Sequence, residues 1–245
     1  MNFLTETVIG ILLPFVGTTV GAATVFFMKN QSNPRFHRAM LGFAAGVMTA
    51  ASVWSLLIPS IESAGSWIPA VTGFLVGTAA MTALDAVVPT PEPNKEPKLG
   101  ENLLLFIAVT LHNIPEGMAV GVAFAGAISG VLPISEALTL SIGISVQNFP
   151  EGTIISAPLV TDGMSKRKAF AYGVLSGAVE PVASIITVLL TWLVAPILPF
   201  VLSFAAGAMI YVVSQELIPE AKSRIGTAGT AVGFALMMLL DVAMG

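Results

Sequence analysis

Long apolar runs alternate with short polar breaks along the chain, and most runs match what a membrane-crossing helix needs. About 20 apolar residues cross about 30 Å of hydrocarbon as helix. By that measure the runs fall at 4–28, 39–61, 68–88, 102–128, 133–160, 169–194, 197–219 and 227–243. Trp67 marks an interface before the third run. The break at 89–100 carries four prolines, two lysines and two glutamates and reads as a solvated loop. The first run lacks a basic leader and is too long for a signal-peptide core, so it is expected to be a retained span. The pattern predicts an all-α membrane protein: eight transmembrane helices in one domain over residues 1–245.

Composition agrees. The chain's 245 residues are 55% hydrophobic and 10% charged, with a mean hydropathy of +0.89, whereas soluble domains carry about 25% charged residues. A net charge of −4 lacks the basic footprint that nucleic-acid binding requires. The absence of cysteine excludes disulfides, thiolate metal sites and cysteine nucleophiles.

Charge also sets an orientation. Lys29, Arg35 and Arg38 fall between the first and second runs, and Lys95 and Lys98 between the third and fourth. Lys166, Arg167 and Lys168 fall between the fifth and sixth, and Lys222 and Arg224 between the seventh and eighth. All ten basic residues thus lie on one side. By the positive-inside tendency that side is cytoplasmic, the loop 89–100 included, and both termini are extracytoplasmic. A multi-pass protein of the cell membrane is expected.

Two repeats stand out. Phe43-Ala44-Ala45-Gly46 followed by Leu57-Ile58-Pro59 resembles Phe204-Ala205-Ala206-Gly207 followed by Leu217-Ile218-Pro219, with spacings one residue apart. His112-Asn113-Ile114-Pro115-Glu116-Gly117 is echoed by Gln147-Asn148-Phe149-Pro150-Glu151-Gly152. Each pair sits on spans of opposed direction, the mark of an inverted repeat, here spans one to three and six to eight around spans four and five.

The second pair carries the chemistry. Glu116, Glu151 and Glu180 lie deep within spans, with Glu216 nearer the cytoplasmic end of the seventh and no Lys or Arg deep in any span. An ionised side chain there costs about 2.5–3.5 kcal/mol on insertion scales, so it is protonated or holds a cation. His112 and Glu116 share a helix face, as do Gln147 and Glu151. Asn113 and Asn148 add amide oxygens, and Pro115 and Pro150 free the carbonyls of Leu111 and Val146. An imidazole with carboxylate and amide oxygens suits a borderline divalent ion such as Zn²⁺, Mn²⁺ or Fe²⁺. The plainer alternatives are a His that bonds between helices and Pro-Glu steps that only kink them.

These residues resemble the ZIP metal transporters, and within them the GufA-like branch. The paired motifs on spans four and five of eight carry the resemblance, which covers essentially the whole chain. It implies a two-metal centre. His112, Glu116, Gln147 and Glu151 would form one site, with Glu116 and Glu151 bridging to a second completed by Asn113, Asn148 and Glu180. It implies transported Zn²⁺, or Mn²⁺, Fe²⁺ or Cd²⁺, and no prosthetic group. Three departures bear on it. Many relatives have Asp at Asn148, the loop 89–100 lacks the histidines of its counterparts, and Gln215 falls where some relatives place His. Glu216 is left as the candidate on the exit path.

Three ionised glutamates exceed one divalent ion by one charge and fall one short of two, so linked protonation would balance the centre. The leading expectation is a divalent metal transporter working toward the cytoplasm. The alternative is a transporter whose carboxylates carry protons or monovalent cations. A membrane hydrolase is disfavoured: no HExxH occurs, and the only other histidine is His37. Small-residue-rich faces permit a homodimer.

Overall fold

The computed structural model describes residues 2–28, 34–87, 99–161 and 163–244, with the side chains of 87, 99–105, 107–109, 112 and 244 outside that description. The described residues are almost wholly helical. In chain order the helices are α1 (Phe3–Ala23), α2 (Pro34–Ala51), α3 (Ile58–Ala64), α4 (Trp67–Val87), α5 (Leu99–Ile128) and α6 (Ile134–Thr161). They continue as α7 (Lys166–Gly177), α8 (Val179–Leu189), α9 (Thr191–Val194), α10 (Leu198–Val212), α11 (Ile218–Ala221) and α12 (Arg224–Met244).

Six helical stretches among the described residues are long and apolar enough to cross a membrane: Phe3–Phe26, Pro34–Ala64, Trp67–Ala86, Lys166–Leu189, Thr191–Ala221 and Arg224–Ala243. The chain is a multi-pass helical membrane protein. From α5 the shorter apolar stretch Asn113–Ile128 stands out. Helix α6 has the length, at 28 residues, but carries Gln147, Asn148 and Glu151 in its middle. All three are buried among neighbouring helices, so α6 need not be apolar all round. Most of the expected loop 89–100, with Lys95 and Lys98, lies outside the described residues, as does Lys29. Leu99 and Gly100, expected in that loop, instead open α5.

Two of the expected spans contain a π-helical segment. The six residues Ser52–Leu57 join α2 to α3 as π-helix, and the five residues Val213–Leu217 join α10 to α11 in the same way. Each segment ends just before a proline, Pro59 or Pro219, which has no N–H for the carbonyl four residues back. Both begin at the same offset from the Phe-Ala-Ala-Gly motif, and the one-residue difference in spacing falls inside the π turns. The sixth expected span breaks at Ala178 into α7 and α8, placing Glu180 in the first turn of α8.

The repeat extends to helix contacts. Gly77 of α4 packs on the carbonyl of Phe204 in α10, and Gly233 of α12 on that of Phe43 in α2. Gly207 meets the Phe74 carbonyl and Gly46 that of Thr230. Residue for residue, the α2–α12 and α4–α10 pairs match. Even their aspartates correspond: Asp85 of α4 accepts from Tyr211 Oη at 2.7 Å, and Asp241 of α12 from Ser55 Oγ at 2.6 Å.

Candidate metal centre

Helices α5 and α6 bring their motifs face to face. Gln147 Nε2 donates to Glu116 Oε1 at 2.7 Å, to Asn148 Oδ1 at 3.0 Å and, more distantly, to Glu151 Oε1 at 3.4 Å. The two glutamates expected to bridge are therefore linked through one amide. Asn113 turns its Nδ2 to the Ser176 carbonyl of α7 at 3.0 Å. The backbone of His112 lies in α5, but its side chain is outside the described residues.

Glu180 closes the group from α8. Its Oε2 accepts from Asn148 Nδ2 at 2.7 Å and its Oε1 from Thr18 Oγ1 at 2.9 Å. Glycine makes the approach possible: a Cβ on Gly117 would stand 2.4 Å from the Glu180 carbonyl oxygen, and one on Gly152 2.1 Å from that of Thr18. Nothing in the sequence pattern singled out Thr18 or Ser176. The one available signal for Thr18 was its place between Gly17 and Gly21, glycines that seat α1 on the Ser145 and Phe149 carbonyls of α6.

Asn113, Glu116, Gln147, Asn148, Glu151 and Glu180 are all buried. Several of their oxygens nonetheless lack any hydrogen-bond partner: Glu116 Oε2, Gln147 Oε1 and Asn113 Oδ1. Unpaired buried acceptors are costly, and each of these can accept from a donor or coordinate a cation. Among the described residues no three His, Asp or Glu side chains are grouped so as to hold an ion alone. A cation here would draw on the amide oxygens as well.

Glu216, in the second π turn, lies within electrostatic reach of both Glu151 and Glu220. Glu220 in turn lines a cavity of about 440 Å³ at the C-terminal end of α6, together with His37, Arg38, Pro158 and Thr161.

Comparison with known proteins settles the class. The family model described as ZIP Zinc transporter matches residues 101–241. The zinc transporter ZIP11 of Xenopus tropicalis is 36% identical, over 98% of this chain and 97% of its own. The chain belongs to the ZIP family. Other relatives are the zinc transporter ZIPB of Bordetella bronchiseptica, 37% identical over 97% of this chain and 81% of its own, and the zinc transporter GufA of Myxococcus xanthus, 34% identical over 96% and 97%. As a ZIP-family member the chain is a membrane metal transporter rather than an enzyme.

Proposed function

We propose that this ZIP-family chain carries divalent transition-metal ions, Zn²⁺ foremost and Mn²⁺, Fe²⁺ or Cd²⁺ as alternatives, toward the cytoplasm. The ion rests at a mid-membrane centre made by His112, Asn113, Glu116, Gln147, Asn148, Glu151 and Glu180, and leaves past Glu216. The observation that carries this reading is the set of buried acceptor oxygens without donors on Asn113, Glu116 and Gln147, beside the buried carboxylates of Glu151 and Glu180. A rotation of the Gln147 amide exchanges Nε2 for Oε1 and presents its carbonyl where it now presents an N–H. The names of the relatives point to the same cargo.

The wider architecture belongs to the same proposal. Eight spans form one domain as an inverted repeat, with termini outside and the 89–100 loop in the cytoplasm. The matched contacts of α2–α12 and α4–α10 support the repeat. The basic first turns of α2, α7 and α12 support the orientation, because basic residues at helix N-termini run against the macrodipole and need a reason such as topology. Alternating access then exposes the centre to each face in turn.

Uptake of radiolabelled Zn²⁺ into proteoliposomes, with competition by Mn²⁺, Fe²⁺ and Cd²⁺, tests the function. Wild type is expected to load vesicles and Glu116→Gln to lose at least tenfold in rate. Proton or Na⁺ flux with no metal flux would replace this reading with the proton or monovalent-cation one.

A further inference from the structure

We propose that Thr18 sets how many ions the centre holds. With Asn148 it occupies both oxygens of Glu180, and the centre loads one divalent ion rather than two. The inference rests on the reading of the centre as a metal site.

The two sides of the centre differ in what their oxygens are doing. On one, Glu116 Oε2 and Gln147 Oε1 have no donors and are open to a cation, while of the second set Asn113 Oδ1 alone is open in this way. On the other, Glu180 Oε1 receives the Thr18 hydroxyl at 2.9 Å and Oε2 the Asn148 amide at 2.7 Å. Thr18, Asn148 and Glu180 are each 0% exposed, so no water competes for these bonds from bulk. Bonds from neutral donors to an ionised carboxylate are among the stronger ones, and the low dielectric strengthens them further. Their positive ends point at the oxygens a second cation would need. Glu180 therefore balances charge from a distance, while the ion sits on the open oxygens.

The place of Thr18 in the repeat explains why it falls to this residue. Gly152 packs on the Thr18 carbonyl as Gly117 packs on the Glu180 carbonyl, so Thr18 is the counterpart of Glu180 in the first half. Where the second half has a carboxylate, the first half has a donor that ties that carboxylate up. Both donors also reach a second acceptor, the Pro14 carbonyl, at 3.3 Å from Thr18 and 3.4 Å from Asn148. Both stand nearer to Glu180 than to Pro14.

The test counts ions. Purified protein in detergent is saturated with Zn²⁺, freed of excess and assayed by metal analysis, with affinities from calorimetry. Wild type is expected to hold one Zn²⁺. Thr18→Val keeps the shape that packs on Gly177 but removes the donor. It is expected to bind a second ion about tenfold or more tightly than wild type does, while Thr18→Ser, which keeps the hydroxyl, returns the count to one. Two ions in wild type, or a Thr18→Val protein no readier than wild type to take a second, overturns the proposal. The wild-type count stands as a test even if the Val variant does not fold. Binding of no ion by folded wild type would instead sink the reading of the centre itself, and with it this inference.

Discussion

Gln147 Nε2 stands 2.7 Å from Glu116 Oε1, so the residue leading one Asn-x-Pro-Glu-Gly motif grips the glutamate of the other. Gln147→Leu removes that donor and leaves a buried carboxylate short of partners. Stability should fall by about 1–3 kcal/mol, read as a lower melting temperature in detergent. Zn²⁺ uptake should fall as well, because an amide oxygen is lost. Gln147→Glu keeps the acceptor but adds charge, and its melting should recover when Zn²⁺ is supplied.

The two motif glycines should respond alike. A methyl at Gly117 or Gly152 meets backbone oxygen at 2.4 or 2.1 Å, with no flexible side chain to yield. Ala at either position should cost about 1–3 kcal/mol through overpacking. Unequal losses in matched melting experiments would count against an equivalence of the two contacts.

Pro219→Ala restores an N–H facing the Gln215 carbonyl and favours closing the π turn Val213–Leu217 into α-helix. Melting should rise, since a helix-interior proline costs about 3 kcal/mol. Uptake should fall, because Glu216, the proposed exit residue, sits within that turn and would change its direction. Such turns concentrate at functional sites. A variant that is both more stable and as fast as wild type would show that the π turn has no part in transport.

Ser55→Ala and Tyr211→Phe each remove one hydrogen bond to a repeat-related aspartate. Each should cost about 1.5–3 kcal/mol where the aspartate is ionised. In the proposed orientation, Asp241 lies toward the outer face and Asp85 toward the cytoplasm. Ser55→Ala should therefore act on the KM for external metal, and Tyr211→Phe on the maximal rate, separable in one uptake series.

Hydropathy made the helices legible, because the bilayer demands apolar length whatever else a helix does. The paired motifs likewise exposed Glu116, Gln147, Asn148 and Glu151, and depth within a span added Glu180, since a polar side chain in an apolar run is too costly to persist without a partner or a role. What stayed hidden is local or cross-helical. The π turns follow from Pro59 and Pro219, but a proline alone does not say whether a helix kinks, breaks or widens. Thr18 is a common residue in a membrane helix, and only its distance to Glu180 gives it meaning. Nor does the sequence pattern show that Asp85 and Asp241, near helix ends, each accept a hydrogen bond from another helical segment.

The near-equivalence of the halves bears on the molecule at rest. A transporter whose halves were identical would favour neither face, because exchanging the roles of its halves turns the outward-open form into the inward-open one at no cost. Any resting bias must come from the places where they differ. One such difference is length: six residues in the first π turn against five in the second. Deleting one residue from 52–57 evens the two turns, and with them this contribution to the idle state. Under the proposed alternating access, the length of one helical turn would then bias the equilibrium between the two open forms, separately from the proposed metal ligands.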